Sequence, residues 1–186
     1  MGLAESIRRW FGAAPSTASP TSSLRPSVPP SLLPYDEPMM RRALDLARNA
    51  AAMGEVPIGA VVYETATGRI LGEGSNRREA DRDPSAHAEL IAIQAAAGAL
   101  RDWRLNTCTL AVTLESCAMC AGLIVNARVG RLIYGAKDPK AGAVDTLYRL
   151  TRDDRLNHRI EPIAGVLDQE CGDLLREFFR ELRAKP

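Results

Sequence analysis

Asp83-Pro84-Ser85-Ala86-His87-Ala88-Glu89 and, thirty residues after its histidine, Cys117-Ala118-Met119-Cys120 are the stretches that decide the reading of this 186-residue chain. The first offers a nitrogen ligand and a carboxylate two residues apart. The second offers two thiols three residues apart, one helical turn, so that both sulfurs share a face. Pro84 and Ser85 are the proline and small polar residue expected just before a helix, so a helix is expected over 87–97 with His87 and Glu89 in its first turn. A second helix is expected over 117–127, with its thiols at the start, where a metal and nearby amides lower a thiol pKa.

The residue types point to a zinc site with a built-in acid/base. A catalytic zinc takes three protein ligands and leaves a fourth tetrahedral position for water, and two thiolates with one imidazole make such a set. A closed site needs a fourth ligand. Cys108, however, falls in the apolar, alternating run Thr107-Cys108-Thr109-Leu110-Ala111-Val112, and His158 lies 38 residues beyond Cys120 in a polar stretch. An open site is therefore expected, where bound water drops from a pKa of about 15.7 toward about 7. Glu89 stays off the metal, because residues two apart on a helix face different ways. Alone, a carboxylate at a helix N-terminus merely balances the dipole; beside His87 and the paired cysteines it reads as a proton carrier.

With 46% hydrophobic and 25% charged residues, the chain has the composition of a globular protein able to bury one core. Its four cysteines give two to the metal motif, while Cys108 and Cys171 sit in apolar patterns as buried thiols. A disulfide framework is not indicated, and a reducing, cytoplasmic compartment is expected. A net charge of +1 excludes a broadly basic nucleic-acid binder, so any RNA contact must be a local patch.

Residues 1–34 are rich in Ser, Pro and Ala and hold no apolar run long enough for a membrane span. They read as a disordered extension outside the fold, followed by one domain over 35–186. Ile7-Arg8-Arg9-Trp10-Phe11 and the acylation-like start Met1-Gly2-Leu3-Ala4-Glu5-Ser6 are short, nonspecific matches within it. Asp36-Glu37-Pro38 opens a helix with acid and proline, and Met40, Ala43, Leu44, Ala47 and Ala51 follow at helical spacing. Strands are expected over 58–63, 69–72, 107–114 and 131–135, and helices over 142–150 and 170–183. Helices interleaved with strands indicate an α/β sandwich.

The pattern His-x-Glu with Cys-x-x-Cys resembles the zinc-dependent nucleobase deaminases. Glu55-Val56-Pro57-Ile58-Gly59-Ala60, Gly74-Ser75-Asn76-Arg77, Val112-Thr113-Leu114-Glu115, Asn157-His158-Arg159 and Phe178-Phe179-Arg180 extend the resemblance, over about residues 36–184, to the bacterial tRNA-specific adenosine deaminases. That resemblance implies a three-layer α/β/α, cytidine-deaminase-like sandwich with a mixed five-stranded sheet. It also implies one Zn²⁺ per subunit on His87, Cys117 and Cys120, and a homodimer acting on the tRNA anticodon stem-loop. The implied reaction is hydrolytic deamination of wobble adenosine to inosine by zinc-activated hydroxide, with Glu89 as proton shuttle. Asn76, Ala86, Asp138, Lys140 and Arg180 are the implied substrate contacts, with Arg183 beside them.

Some residues carry a plainer reading alongside. Lys137-Asp138-Pro139-Lys140 is by default a solvated turn, Phe178 and Phe179 pack the last helix, and His158 orders a loop. The chain departs from the family at Ser116, where the family has proline; its hydroxyl is expected to be free to cap the next helix. Two other functions remain open: a deaminase of a free base or nucleoside, guanine or cytosine, and a noncatalytic zinc-stabilised RNA-binding or partner subunit. The intact Glu89 and the missing fourth ligand speak against the second.

Overall fold

The computed structural model describes residues 31–184. Most of the extension expected over 1–34, with both of its short motifs, lies outside them. Strands β1 (Gly59–Glu64), β2 (Ile70–Ser75), β3 (Cys108–Leu114), β4 (Arg131–Ala136) and β5 (Ile163–Ala164) form one sheet of order β2-β1-β3-β4-β5. β1 runs antiparallel to β2 and to β3, whereas β3, β4 and β5 are parallel. β2, β3 and β4 therefore point the same way and end at one edge. The registers Gly59↔Ser75 and Leu114↔Ala136 mark that edge. In open α/β sheets, ligands bind outside such strand ends.

Period-two alternation divides the core into two layers. Ala60 and Val62 of β1, Leu110 and Val112 of β3, and Leu132 and Tyr134 of β4 pack with helices α3 (Ala88–Leu100) and α4 (Ala118–Asn126). Val61, Tyr63, Ala111 and Ile133 face the other way, onto α1 (Asp36–Ala52) and α5 (Asp168–Ala184). The result is the expected three-layer sandwich with a mixed five-stranded sheet. Small residues decide how closely α3 sits: a Cβ on Gly74 would stand 2.2 Å from the Ala88 carbonyl oxygen. The first turn of α3 thus lies directly on β2, which fixes where His87 and Glu89 emerge.

The polar stretch 73–84 finishes β2 and adds one helical turn, α2 (Arg78–Asp81). The helix expected over 142–150 does not form; the segment is turns ending in a 3₁₀ turn, Leu150–Arg152. The reason is Glu115, which is 2% exposed. Its Oε1 accepts the amides of Val144, Asp145 and Thr146 at 3.2, 2.7 and 2.9 Å. Its Oε2 accepts the Asp138 amide at 3.1 Å and the Thr146 hydroxyl. Three consecutive amides aimed at one carboxylate leave the helical ladder unfilled. Gly142 permits the approach, since a Cβ there would lie 2.5 Å from Oε2.

Asp36, expected only to complement the dipole of α1, is fully buried. Arg131 forks onto both its oxygens at 2.8 Å, Tyr63 donates its hydroxyl at 2.5 Å, and the Leu33 amide donates at 2.7 Å. Burial pulls the Asp36 carboxyl upward, but Arg131 and these donors outweigh it and hold it below its ordinary value. A lowered native pKa stabilises the fold above the unfolded value, and that stability drains away as pH falls through the native one. Asp36→Asn should cost about 3 kcal/mol at neutral pH by leaving Arg131 unpaired. The gap to the wild type should close in denaturant titrations taken below about pH 4; a pH-independent gap would remove the ion pair as its cause. Glu115→Ala should cost a similar ~3 kcal/mol by orphaning several donors. It should also speed proteolytic cleavage within 137–150, and an unchanged cleavage rate would mean that the loop holds itself.

Candidate active site

His87 occupies the N-cap position of α3 and Cys117 that of α4. These helices follow β2 and β3 respectively, so both start at the strand-end edge. His87 Nδ1 lies 3.7 Å from Cys117 Sγ and 3.6 Å from Cys120 Sγ. The three ligand atoms lie within 4.8 Å of one another, and the group can hold a metal ion. Tetrahedral zinc with bonds of about 2.3 Å to sulfur and about 2.0–2.1 Å to nitrogen needs a nitrogen–sulfur edge of roughly 3.6 Å. The donor set thus fits zinc in both chemistry and spacing. Glu89 is not part of the cluster, as its offset of two residues implied, and His158 is elsewhere, donating Nε2–H to the Val129 carbonyl at 2.8 Å.

Protons within the cluster are shared. Cys117 is drawn down to about 3 by the hydrogen bond from the Cys120 thiol and by His87. Cys120 is correspondingly pushed up, chiefly by that same thiolate, and His87 is raised by its bond to Cys117. A divalent cation binding here displaces whatever protons the ligand atoms still carry. Glu89 is 4% exposed, and burial raises its pKa above the ordinary carboxylate range. A carboxyl so perturbed at the wall of a cavity is what proton transfer near neutral pH requires. Cys108 and Cys171 are buried thiols, as expected, and burial pushes both upward, Cys171 to about 12.

His87, Glu89 and Cys117 lie in the wall of a cavity of about 1000 Å³. Its rim brings together Asp138, Lys140 and Arg180 from among the expected substrate contacts. Asp138 is also a turn-former, its Oδ1 accepting the Lys140 amide at 2.8 Å. Arg78, Lys137, Arg176 and Arg183 add positive charge to the same wall. Asn76 and Ala86 are not in the lining. Both are buried, and the Asn76 side-chain amide donates to Glu55 Oε2 at 3.1 Å while Glu55 Oε1 takes the Ala80 amide. Phe179 is 38% exposed and lines the cavity instead of packing α5; that helix is seated through Cys171 and Leu174. Its ring meets Phe178 edge-on at 5.5 Å.

Sequence reasoning missed Glu115 and Glu55, the carboxylates that brace the loops around the site. A buried acid just after an apolar strand was the available signal for Glu115. Ser116 does not cap α4: Cys117 already holds the N-cap position, and the serine hydroxyl is buried with no hydrogen-bond partner among the described residues.

Residues 35–183 match the family model of the MafB19-like deaminases. The tRNA-specific adenosine deaminase of Bacillus subtilis is 47% identical over 150 residues, covering 81% of this chain and 92% of the relative. A solved structure from work on A-to-I editing by tRNA:A34 deaminases at the wobble position superposes with a TM-score of 0.70 at 41% identity, covering 74% of this chain and 98% of that one. A guanine deaminase from Nitrosomonas europaea superposes with a TM-score of 0.69 at 25% identity, covering 89% and 96%. With the sandwich, the His/Cys/Cys cluster and the buried Glu89 in place, this identity over most of its length shows that the chain belongs to the tRNA-specific adenosine deaminase family.

Proposed function

We propose that this protein hydrolyses the wobble adenosine of a tRNA to inosine, with zinc held by His87, Cys117 and Cys120 and Glu89 as the catalytic acid/base. The observation that carries the reading is the pairing of a zinc-sized three-ligand cluster with a buried carboxyl in one cavity wall. When bound, zinc supplies Lewis acidity that lowers the pKa of water toward about 7. The net reaction adds water at C6 of adenine and releases ammonia. Glu89 carries the protons for it, taking one from the water, delivering it to the ring nitrogen and then serving the departing amine. Its burial suits it to both duties, because a raised pKa makes the protonated form accessible.

Flanking nucleotides are assigned to the rim. Lys140 and Arg180, with Arg183, serve the phosphates, and Phe179 offers a face for stacking. Asp138 shapes the loop that presents Lys140, and Asn76 and Ala86, buried outside the lining, act from behind it. Guanine deaminases share the fold, and a free-base substrate is the competing reading. The identity to the tRNA-acting relatives and the cationic rim, which a neutral base does not need, favour tRNA. The family match over 35–183 supports a catalytic domain over 35–186 preceded by an extension. A homodimer is supported by the exposed apolar side chains Met119, Leu147 and Tyr148. Free thiols and a tRNA substrate support a cytoplasmic location. No helix among the described residues is long and apolar enough to cross a membrane.

Incubation of zinc-loaded protein with a tRNA carrying adenosine at the wobble position should yield inosine there and nowhere else, read by sequencing. Glu89→Ala should keep its metal and lose at least about 10²–10⁴-fold in rate, whereas Cys117→Ala should lose metal and activity together. Inosine from Glu89→Ala at the wild-type rate would remove Glu89 from the chemistry. Turnover of free guanine but not of the tRNA would hand the function to the competing reading.

A further inference from the structure

Most cations of the cavity wall come from one side of the sheet. Lys137 and Lys140 follow β4, and Arg176, Arg180 and Arg183 ride on α5, which is seated on β4 and β3. Arg78 comes from the other side. It stands three residues beyond Ser75, the last residue of β2, at the same strand-end edge. In the order β2-β1-β3-β4 the ends of β2 and β4 are three strand spacings apart, about 14 Å. Cys117 follows β3, between those ends, and its sulfur meets His87 at 3.7 Å. Among the described cavity cations, Arg78 alone is thus set at the far end of the edge from the rest.

The turn that carries Arg78 is tied down, while its own guanidinium is uncommitted. The Arg77 amide donates to the Ala86 carbonyl at 3.0 Å. The Ala80 amide donates to Glu55 Oε1 at 2.8 Å, and Glu55 Oε2 accepts from Asn76. Arg77 is occupied by Asp81 through bonds of 2.8 and 2.7 Å. Arg78, next to it, is exposed and has no side-chain hydrogen bond or ion pair among the described residues. A free guanidinium on a braced turn is a ready fork for phosphate oxygens. A nucleotide turned out of its stack carries a phosphate on each side of its sugar. We infer that Arg78 binds the backbone phosphate on one side of the reacting nucleotide, opposite the phosphate held by Lys140 and Arg180. Asn76 and Ala86 then act by holding the turn that presents Arg78. A free base has no phosphate, so the pair of flanks selects for a nucleotide within a chain.

The assignment rests on the tRNA reading, and one set of measurements separates the two. With zinc-loaded protein and a stem-loop carrying wobble adenosine, Arg78→Ala should keep its metal, raise KM about tenfold and leave kcat within about twofold. It should also lower the salt slope of stem-loop binding by about 1, and Arg78→Lys should recover part of the loss. Replacing one flanking phosphate at a time by an uncharged methylphosphonate identifies the partner. One substitution should weaken the wild type but not Arg78→Ala further, and the other should behave so toward Lys140→Ala. Coupling of Arg78 to neither phosphate, coupling of both residues to the same one, or a loss confined to kcat overturns the inference while the tRNA reading stands. A stem-loop neither bound nor deaminated by the wild type overturns the tRNA reading and the inference with it.

Discussion

Two helix N-termini must meet at one three-ligand cluster, and the sheet is what makes them meet. β2 and β3 are not neighbours; β1 lies between them and runs antiparallel to both. They therefore share a direction and release α3 and α4 from the same edge, on the same face. His87 and Cys117 each take the first capped position of their helix, before side chains are committed to the apolar stripe. A ligand one turn further along would compete with core packing, and only Cys120, the second thiol, does so; it is fully buried.

The interior acids divide by what surrounds them. Asp36 meets a guanidinium fork and two further donors, Glu55 meets an amide side chain and a backbone amide, and Glu115 collects the amides of a whole loop. Each acts as a bracket of hydrogen-bond acceptors, and each secures a different segment of the rim or the sheet. Glu89 has no such cage among the described residues and lies in the cavity wall. Buried charge is expensive unless paired, and in this molecule the carboxyl left least compensated is the one placed beside the metal ligands.

The metal cluster was legible in the sequence because ligand chemistry restricts residue types and a helix restricts their spacing; His87, Glu89, Cys117 and Cys120 needed no tertiary information. The sandwich followed from alternation between apolar strands and helical spacing. Other features depend on partners distant in the chain. Over 142–150, local pattern favours a helix, and what overrides it is a carboxylate nearly thirty residues upstream that takes the amides first. Asp36 looked like a dipole partner because its true partner, Arg131, is 95 residues away. Phe179 looked like core because aromatic type indicates apolar contact without saying whether the contact is protein or ligand. Ser116 could be flagged as a departure, but its orphaned hydroxyl is visible only once Cys117 is seen to hold the cap.

Charge illustrates why whole-chain numbers mislead about substrate. A net charge of +1 describes a nearly balanced chain, and several of the described arginines are neutralised close to home: Arg77 by Asp81, Arg48 by Asp45, Arg152 by Asp145 and Glu161. At the cavity the balance differs. Arg176 and Arg180 are paired with Asp173 and Glu177 on α5, but those pairs are solvent-exposed and weakly held. Lys137, Lys140, Arg78 and Arg183 have no ion-pair partner among the described residues. Exposed pairs exchange readily for phosphate oxygens, and unpaired cations gather them through counterion release. A neutral base would draw on none of this. On the proposed reading the rim suits a ligand whose backbone charge extends beyond the reacting ring, and Glu89 beside the His87, Cys117 and Cys120 cluster suits the ring itself.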